Sequence, residues 1–175
     1  DNIVPTQFKP KLDEDREIDF SYHVPGIGRF RTNCYQHLGK WCLAMRHVVA
    51  EVPKIDSLGL PEIIKSIAEE HRGIVLVAGT TGCGKSTTLA GMIDHINSTQ
   101  KRHIITIEDP VEYVFKDKNC IIEQREVGLD TPSYQHSLKH VMRQDPDVIM
   151  IGEMRDDISF RAAMSAADTG HLVMS

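Results

Sequence analysis

IVLVAGTTGCGKSTTLA, residues 74–90, runs from an apolar segment through a glycine-rich octapeptide into a run of helix formers. The octapeptide GTTGCGKS, Gly79 to Ser86, fits the spacing GxxxxGK[ST] in full. A strand before it and a helix after it are the context in which that spacing binds phosphate. Gly79, Gly82 and Gly84 let the backbone turn tightly, so that its N–H groups point at phosphate oxygens at the positive end of the following helix. Thr80, Thr81 and Cys83 complete the cradle. Lys85 can reach the β- and γ-phosphates, the Ser86 hydroxyl can ligate magnesium, and Thr87 can contact the α-phosphate. The reading predicts a protein that binds a nucleoside triphosphate with magnesium and hydrolyses it.

Outward from the loop, the chain alternates helix and strand: a helix over 61–71, the buried run IVLVA, a helix over 85–97 and the run HIITIE. Thr131 and Pro132 then open a helix whose face carries Tyr134, Leu138, Val141 and Met142. The apolar strand DVIMI and a helix over 157–168 follow. This is the pattern of a parallel sheet and an α/β fold. Upstream the period changes to two: Ile18, Phe20, Tyr22 and Val24 alternate with polar residues, PGIG supplies a turn, and a return strand puts Arg29 and Arg31 on one face. A third alternation runs over 40–49, with Trp41, Leu43, Met45 and His47 on one side. Residues 51–61 concentrate proline, glycine and serine and read as a linker. The predicted organisation is a small sheet domain over 1–50, a linker over 51–61 and a P-loop domain over 62–175.

Two strand tips carry acids. HIITIE delivers Glu108 and Asp109 at the edge where ligands bind in open α/β sheets, and Glu112 follows Pro110. A hydrolase needs one carboxylate to polarise water and another to hold the magnesium shell, and the pattern leaves their assignment open. DVIMIGE ends in Glu153, with Gly152 where an aspartate usually follows such a strand. That departure argues against common helicases and GTPases and points to Glu153 holding magnesium through water. No NKxD-type guanine-reading motif occurs. His136 and His140 lie one helical turn apart but lack a third metal ligand in the sequence.

A net charge of −5 gives no global pull toward nucleic acid, and no basic stripe with interleaved aromatics is evident. A nucleic-acid translocase is therefore disfavoured, and a nucleotide-dependent module without turnover is disfavoured by the intact acids. No run approaches the roughly 20 apolar residues that span a bilayer. The four cysteines show no metal spacing and read as reduced thiols of a cytoplasm. Cys83, beside Lys85 and a helix start, is a candidate for alkylation that blocks nucleotide binding. The chain starts at Asp1 and ends in the apolar HLVMS, which reads as a piece of a longer protein.

AGTTGCGKSTTLA, ITIEDPVEYV, RQDPDVIMIGEMRD and AADTGHLV, in that order, resemble the Walker A, Asp box, Walker B and His box of secretion ATPases, the hexameric motors of type II secretion and type IV pili. IIEQREVGLDT and GEMRD are more similar to the retraction (PilT-type) branch than to the assembly branch. The resemblance implies a RecA-like P-loop core preceded by part of a small PAS-like α+β domain, and a homohexamer hydrolysing ATP with Mg2+. Such a motor would be cytoplasmic and would act through an inner-membrane platform protein that handles pilin, with no nucleic acid. It also implies that Glu112 activates water, that Glu153 supports magnesium, and that His171 senses the γ-phosphate. Arg29 and Arg31, assisted by Arg46, would reach the triphosphate of an adjacent catalytic domain, which suits the bidentate guanidinium fork.

Overall fold

The computed structural model describes residues 3–48 and 51–175. Contacts divide the chain into two compact units, Asp1–Ala50 and Glu51–Ser175.

In the first unit, a short 3-10 turn and helix α1 (Lys9–Asp15) precede strands β1 (Glu17–Val24), β2 (Gly28–His37) and β3 (Lys40–Val48). Sequence periodicity had indicated neither helical piece. The strands form an antiparallel meander in the order β1-β2-β3. Register follows the alternation: Ile18 opposes Cys34 and Phe20 opposes Thr32, all four buried. Leu12 of α1 closes this small core, with Phe8 tilted against Phe20 at 6.2 Å between ring centroids. Arg29 and Arg31 do share a face of β2, the first half-buried and the second exposed. The third strand is different. Trp41, Leu43 and Met45 line one side as expected, yet each is exposed, because β3 is the outer strand of the meander and the residues that flank Trp41 and Leu43, among them Val4 and Leu12, cover that face only in part. Val49, the expected end of this strand, lies outside the described residues.

The second unit holds, among the described residues, a five-stranded sheet in the order β4-β8-β7-β5-β6, with every pairing parallel. Its strands are β4 (Gly73–Val75), β5 (His103–Glu108), β6 (Ile121–Glu126), β7 (Val148–Ile151) and β8 (Leu172–Met174). Helices α2 (Ile63–Ala68), α3 (Lys85–Thr99), α4 (Tyr134–Val141) and α5 (Asp157–Asp168) connect them. Two cores follow from the alternation of β5 and β7. Ile104, Val148 and Met150 face α2 and α3, with Met92, Ile93 and Ile96. Ile105, Ile107, Ile149 and Ile151 face α4 and α5, with Leu138, Val141 and Ala163.

Three expectations change. IVLVA is not a strand buried on both faces: β4 is three residues long and at the sheet edge, so Ile74 and Leu76 point outward and are exposed while Val75 and Val77 pack inward. The helix expected over 61–71 is confined to α2, and the fifth strand, β6, had not been expected from periodicity. In the stretch read as a linker, residues 55–58 form a 3-10 turn on α3, with Ile55 buried. Gly91 allows that approach, since a Cβ there would lie 2.9 Å from Leu58 Cδ1.

Candidate nucleotide site

The loop between β4 and α3 turns through positive φ at Gly82 (80°) and Gly84 (97°), where a side chain would strain the backbone. Gly79 is constrained differently: a Cβ there would meet Cys83 Sγ at 2.5 Å, so the exposed thiol lies over the start of the loop. Lys85 Nζ donates to the loop's own carbonyls, at 3.0 Å to Gly79 and 3.1 Å to Thr80. A ligand phosphate would draw the ammonium away from these neutral acceptors, because a hydrogen bond between ions is the stronger. Thr81 and Ser86 are exposed at the mouth.

All the sheet's strands run in one direction, so the loop after β4 and the tips of β5 and β7 lie along one edge. The three elements are tied together there. Thr87 Oγ1 and Tyr113 Oη are hydrogen-bonded at 3.1 Å, linking α3 to the segment that carries Glu112. Glu112 itself is exposed, while its backbone N–H donates to Glu108 Oε2 at 3.3 Å. Glu108 is buried: Oε1 accepts from Thr106 Oγ1 at 2.6 Å and from Gln124 Nε2 at 3.1 Å. Burial, the largest influence, pushes its carboxyl above the ordinary range against these hydrogen bonds. The carboxylate thus points into the protein and anchors the loop of Glu112. Glu126, also buried, holds the same loop by accepting from the Val111 N–H at 3.1 Å.

At the tip of β7, Gly152 N–H donates to the Ile107 carbonyl at 2.8 Å. A Cβ on Gly152 would lie 3.2 Å from Tyr134 Oη and 3.3 Å from both Glu108 Cα and the Ile107 oxygen. The glycine that stands in place of the usual aspartate is therefore closely packed against β5, and a side chain there would make its neighbours give way. Glu153 follows, partly exposed, with Oε1 paired to Arg155 Nε at 2.8 Å. Asp156 caps α5, its carboxylate accepting from Ser159 N–H at 2.7 Å and from Gln135 Nε2 at 2.8 Å, and these bonds hold its pKa below the usual carboxylate range.

The donors suit a hard cation. No group of three or more His, Cys, Asp or Glu side chains able to hold a metal occurs among the described residues. Magnesium fits such a site, since it takes one or two carboxylates and completes its octahedron with water and substrate phosphates. Ser86 and Glu153 would supply the protein oxygens. The rings of His136 and His140 lie tilted at 45°, 4.8 Å apart, on an exposed face, with no third ligand among the described residues.

His171 is not brought to this edge. It precedes β8, and its carbonyl accepts from the N–H of Gly73, the first residue of β4, at 3.1 Å. That is the opposite edge of the sheet from the loop after β4. Its ring contacts the Ala166 carbonyl at 3.0 Å and Thr169 Oγ1 at 3.3 Å, closing the end of α5. Within this chain the topology places His171 away from the chain's own phosphate loop, because the start of a parallel strand lies at the edge opposite the end of its neighbour. Arg29, Arg31 and Arg46 belong to the first unit, with Arg31 opposite Arg46 across β2 and β3. Sequence periodicity missed Tyr113, Gln124, Glu126 and the hydroxyl of Tyr134 as parts of the site, and none has a local signal.

A parallel α/β sheet with a phosphate loop at its carboxyl edge and acids on two further strand tips defines a RecA-like P-loop nucleotide-binding protein. The chain belongs to the type II/IV secretion system protein family, whose pattern matches residues 29–175. It is 44% identical over 172 residues to the type IV pilus retractation ATPase PilT of Pseudomonas aeruginosa, covering 98% of this chain and 50% of that protein. It is also 44% identical over 173 residues to the type IV pilus ATPase PilU of the same organism, covering 99% and 45%. A crystal structure of the pilus retraction motor PilT with bound ADP superposes with a TM-score of 0.96 at 49% identity, covering 98% of this chain and 50% of that one. The chain spans about half the length of these relatives. No helix among the described residues is long and apolar enough to cross a membrane.

Proposed function

We infer that this chain is the nucleotide-binding part of an ATP-hydrolysing motor that powers type IV pilus retraction. The observation that carries the reading is the Thr87–Tyr113 hydrogen bond, which joins the phosphate loop's helix to the segment bearing Glu112. The backbone N–H groups of Gly79 to Ser86 bind the phosphates, and Lys85 leaves its carbonyl partners for the β- and γ-oxygens. Glu112, exposed beside the loop, accepts the proton of the attacking water. Ser86 and Glu153 would hold magnesium, and the chemistry it would supply there is charge neutralisation at the phosphoryl oxygens. Glu108 holds the Glu112 segment in place, and Asp109 stays at the edge of the nucleotide site.

The likeness to PilT and PilU supports a homohexamer in which Arg29 and Arg31 reach the nucleotide of a neighbouring catalytic unit. Motion would pass to an inner-membrane platform protein, and through it to pilin, from a peripheral cytoplasmic position. A type II secretion or pilus-assembly role is the alternative within the family, and identity to type II secretion system protein E of Xanthomonas campestris, 47% over 116 residues, keeps it in view.

The test is phosphate release by the intact protein and its Glu112→Gln variant. The variant should bind ATP as wild type does and hydrolyse it about a hundredfold more slowly or worse. Near-normal turnover would move the general base elsewhere.

A further inference from the structure

Tyr134 opens α4, and its side chain packs with Val127, Met142 and Met154 against the core of Ile107 and Ile151. Such a position needs only a ring. The hydroxyl is nevertheless buried, and no hydrogen-bond partner meets it among the described residues. Leaving a buried O–H unpaired is costly, so a group of this kind points to an acceptor that arrives later.

The surroundings narrow the choice of acceptor. Oη lies 3.2 Å from where a Gly152 Cβ would stand, which puts it beside the tip of β7. Burial and then the charges of Glu153, Asp109 and Glu108, in that order, keep the phenol protonated, against a smaller opposing influence from Arg155. It is therefore a donor to those acids at any physiological pH. Glu108 already accepts three hydrogen bonds, from Thr106, Gln124 and the Glu112 N–H. Asp109 has a partner of its own. Glu153 pairs with the exposed Arg155 guanidinium through Oε1.

We propose that Tyr134 is a positioning residue for Glu153: when a magnesium nucleotide is bound, Glu153 gives up Arg155, turns inward, and accepts a hydrogen bond from the Tyr134 hydroxyl. The carboxylate then has two alternative partners, a solvent-facing one without ligand and a buried one with it. The phenol fixes its direction toward the cation, as outer hydrogen bonds do for ligating carboxylates elsewhere. The inference rests on Glu153 supporting magnesium as described above.

The test compares wild type, Tyr134→Phe, Glu153→Gln and the double variant as intact proteins. Two quantities are read: the melting temperature without nucleotide, and the affinity for a fluorescent ADP analogue at rising Mg2+. Removing the hydroxyl from the free protein removes an unpaired group, so the melting temperature of Tyr134→Phe should equal or exceed that of wild type. Its affinity for the analogue at saturating Mg2+ should fall about tenfold, as for a lost hydrogen bond to a charged group, and should match wild type in EDTA. In the double variant the phenylalanine should add little to the loss from Glu153→Gln. Equal Mg2+-dependent binding by wild type and Tyr134→Phe overturns the inference alone, and so do additive losses or a lower melting temperature of free Tyr134→Phe. Binding by wild type that is indifferent to both Mg2+ and Glu153→Gln overturns the assignment of Glu153, and the inference with it.

Discussion

Gly152→Ala adds one methyl group where the tip of β7 meets β5, and the structure sets the size of the effect. Its Cβ would stand 3.2 Å from Tyr134 Oη and 3.3 Å from both Glu108 Cα and the Ile107 oxygen, inside ordinary van der Waals contact. The tyrosine can yield by a small rotation. The other two atoms are backbone of β5, and Ile107 is paired with Ile151, so relief there pulls β5 and β7 apart. Inserting a methyl group into packed backbone costs about 1–3 kcal/mol. For a unit the length of Glu51–Ser175 each kcal/mol is ~4 °C, so the melting temperature should fall by about 4–12 °C. Differential scanning fluorimetry of the intact protein without nucleotide reads this. Adding Tyr134→Phe removes one of the three contacts and should restore less than half of the loss. A melting temperature within about 1 °C of wild type would refute the reasoning, and full rescue by the phenylalanine would show that the backbone contacts are slack.

Two further tests address the loop and the buried acid. Alkylation of Cys83 by iodoacetamide should abolish binding of the fluorescent ADP analogue and be blocked by prior nucleotide, since Sγ overlies Gly79; retained binding after mass spectrometry shows Cys83 modified would refute this. Glu108 has its folded pKa raised by burial, so its contribution to stability is complete below the unfolded value of about 4.3 and is lost as pH rises through the higher folded value. The melting temperature of Glu108→Gln relative to wild type should therefore rise from about pH 4 to about pH 7; a difference independent of pH would refute the assignment.

How much of this could be read beforehand depended on the range of the information. The phosphate loop was legible because its requirements are local: a spacing, two glycines at positive φ, and a helix starting at Lys85. The pairing of β1 with β2 was equally legible, because alternation and the Pro25–Gly28 turn fix which residues oppose one another. The exposure of Ile74 and Leu76 was not, since it follows from β4 standing at the edge of the order β4-β8-β7-β5-β6, which no periodicity encodes. Strand β6 was hidden for a similar reason: it too is an edge strand and carries Glu123, Gln124, Arg125 and Glu126 in place of apolar residues. His171 follows a motif by resemblance, but only the parallel direction of β8 reveals which edge it occupies. The site's polar interior, from Gln124 to Glu108 and from Tyr134 to Gly152, is built from residues far apart in the chain.

Lys85 has one more consequence. Its two bonds to the carbonyls of Gly79 and Thr80 close the loop on itself, so the ammonium is a staple before it is a ligand. A loop ordered in advance loses less freedom when the triphosphate arrives. Removing the side chain therefore subtracts two separate things, the attraction for phosphate and the rigidity of an otherwise glycine-rich segment. Arginine would restore the charge with a broader head, and a loss that survives that exchange measures the staple.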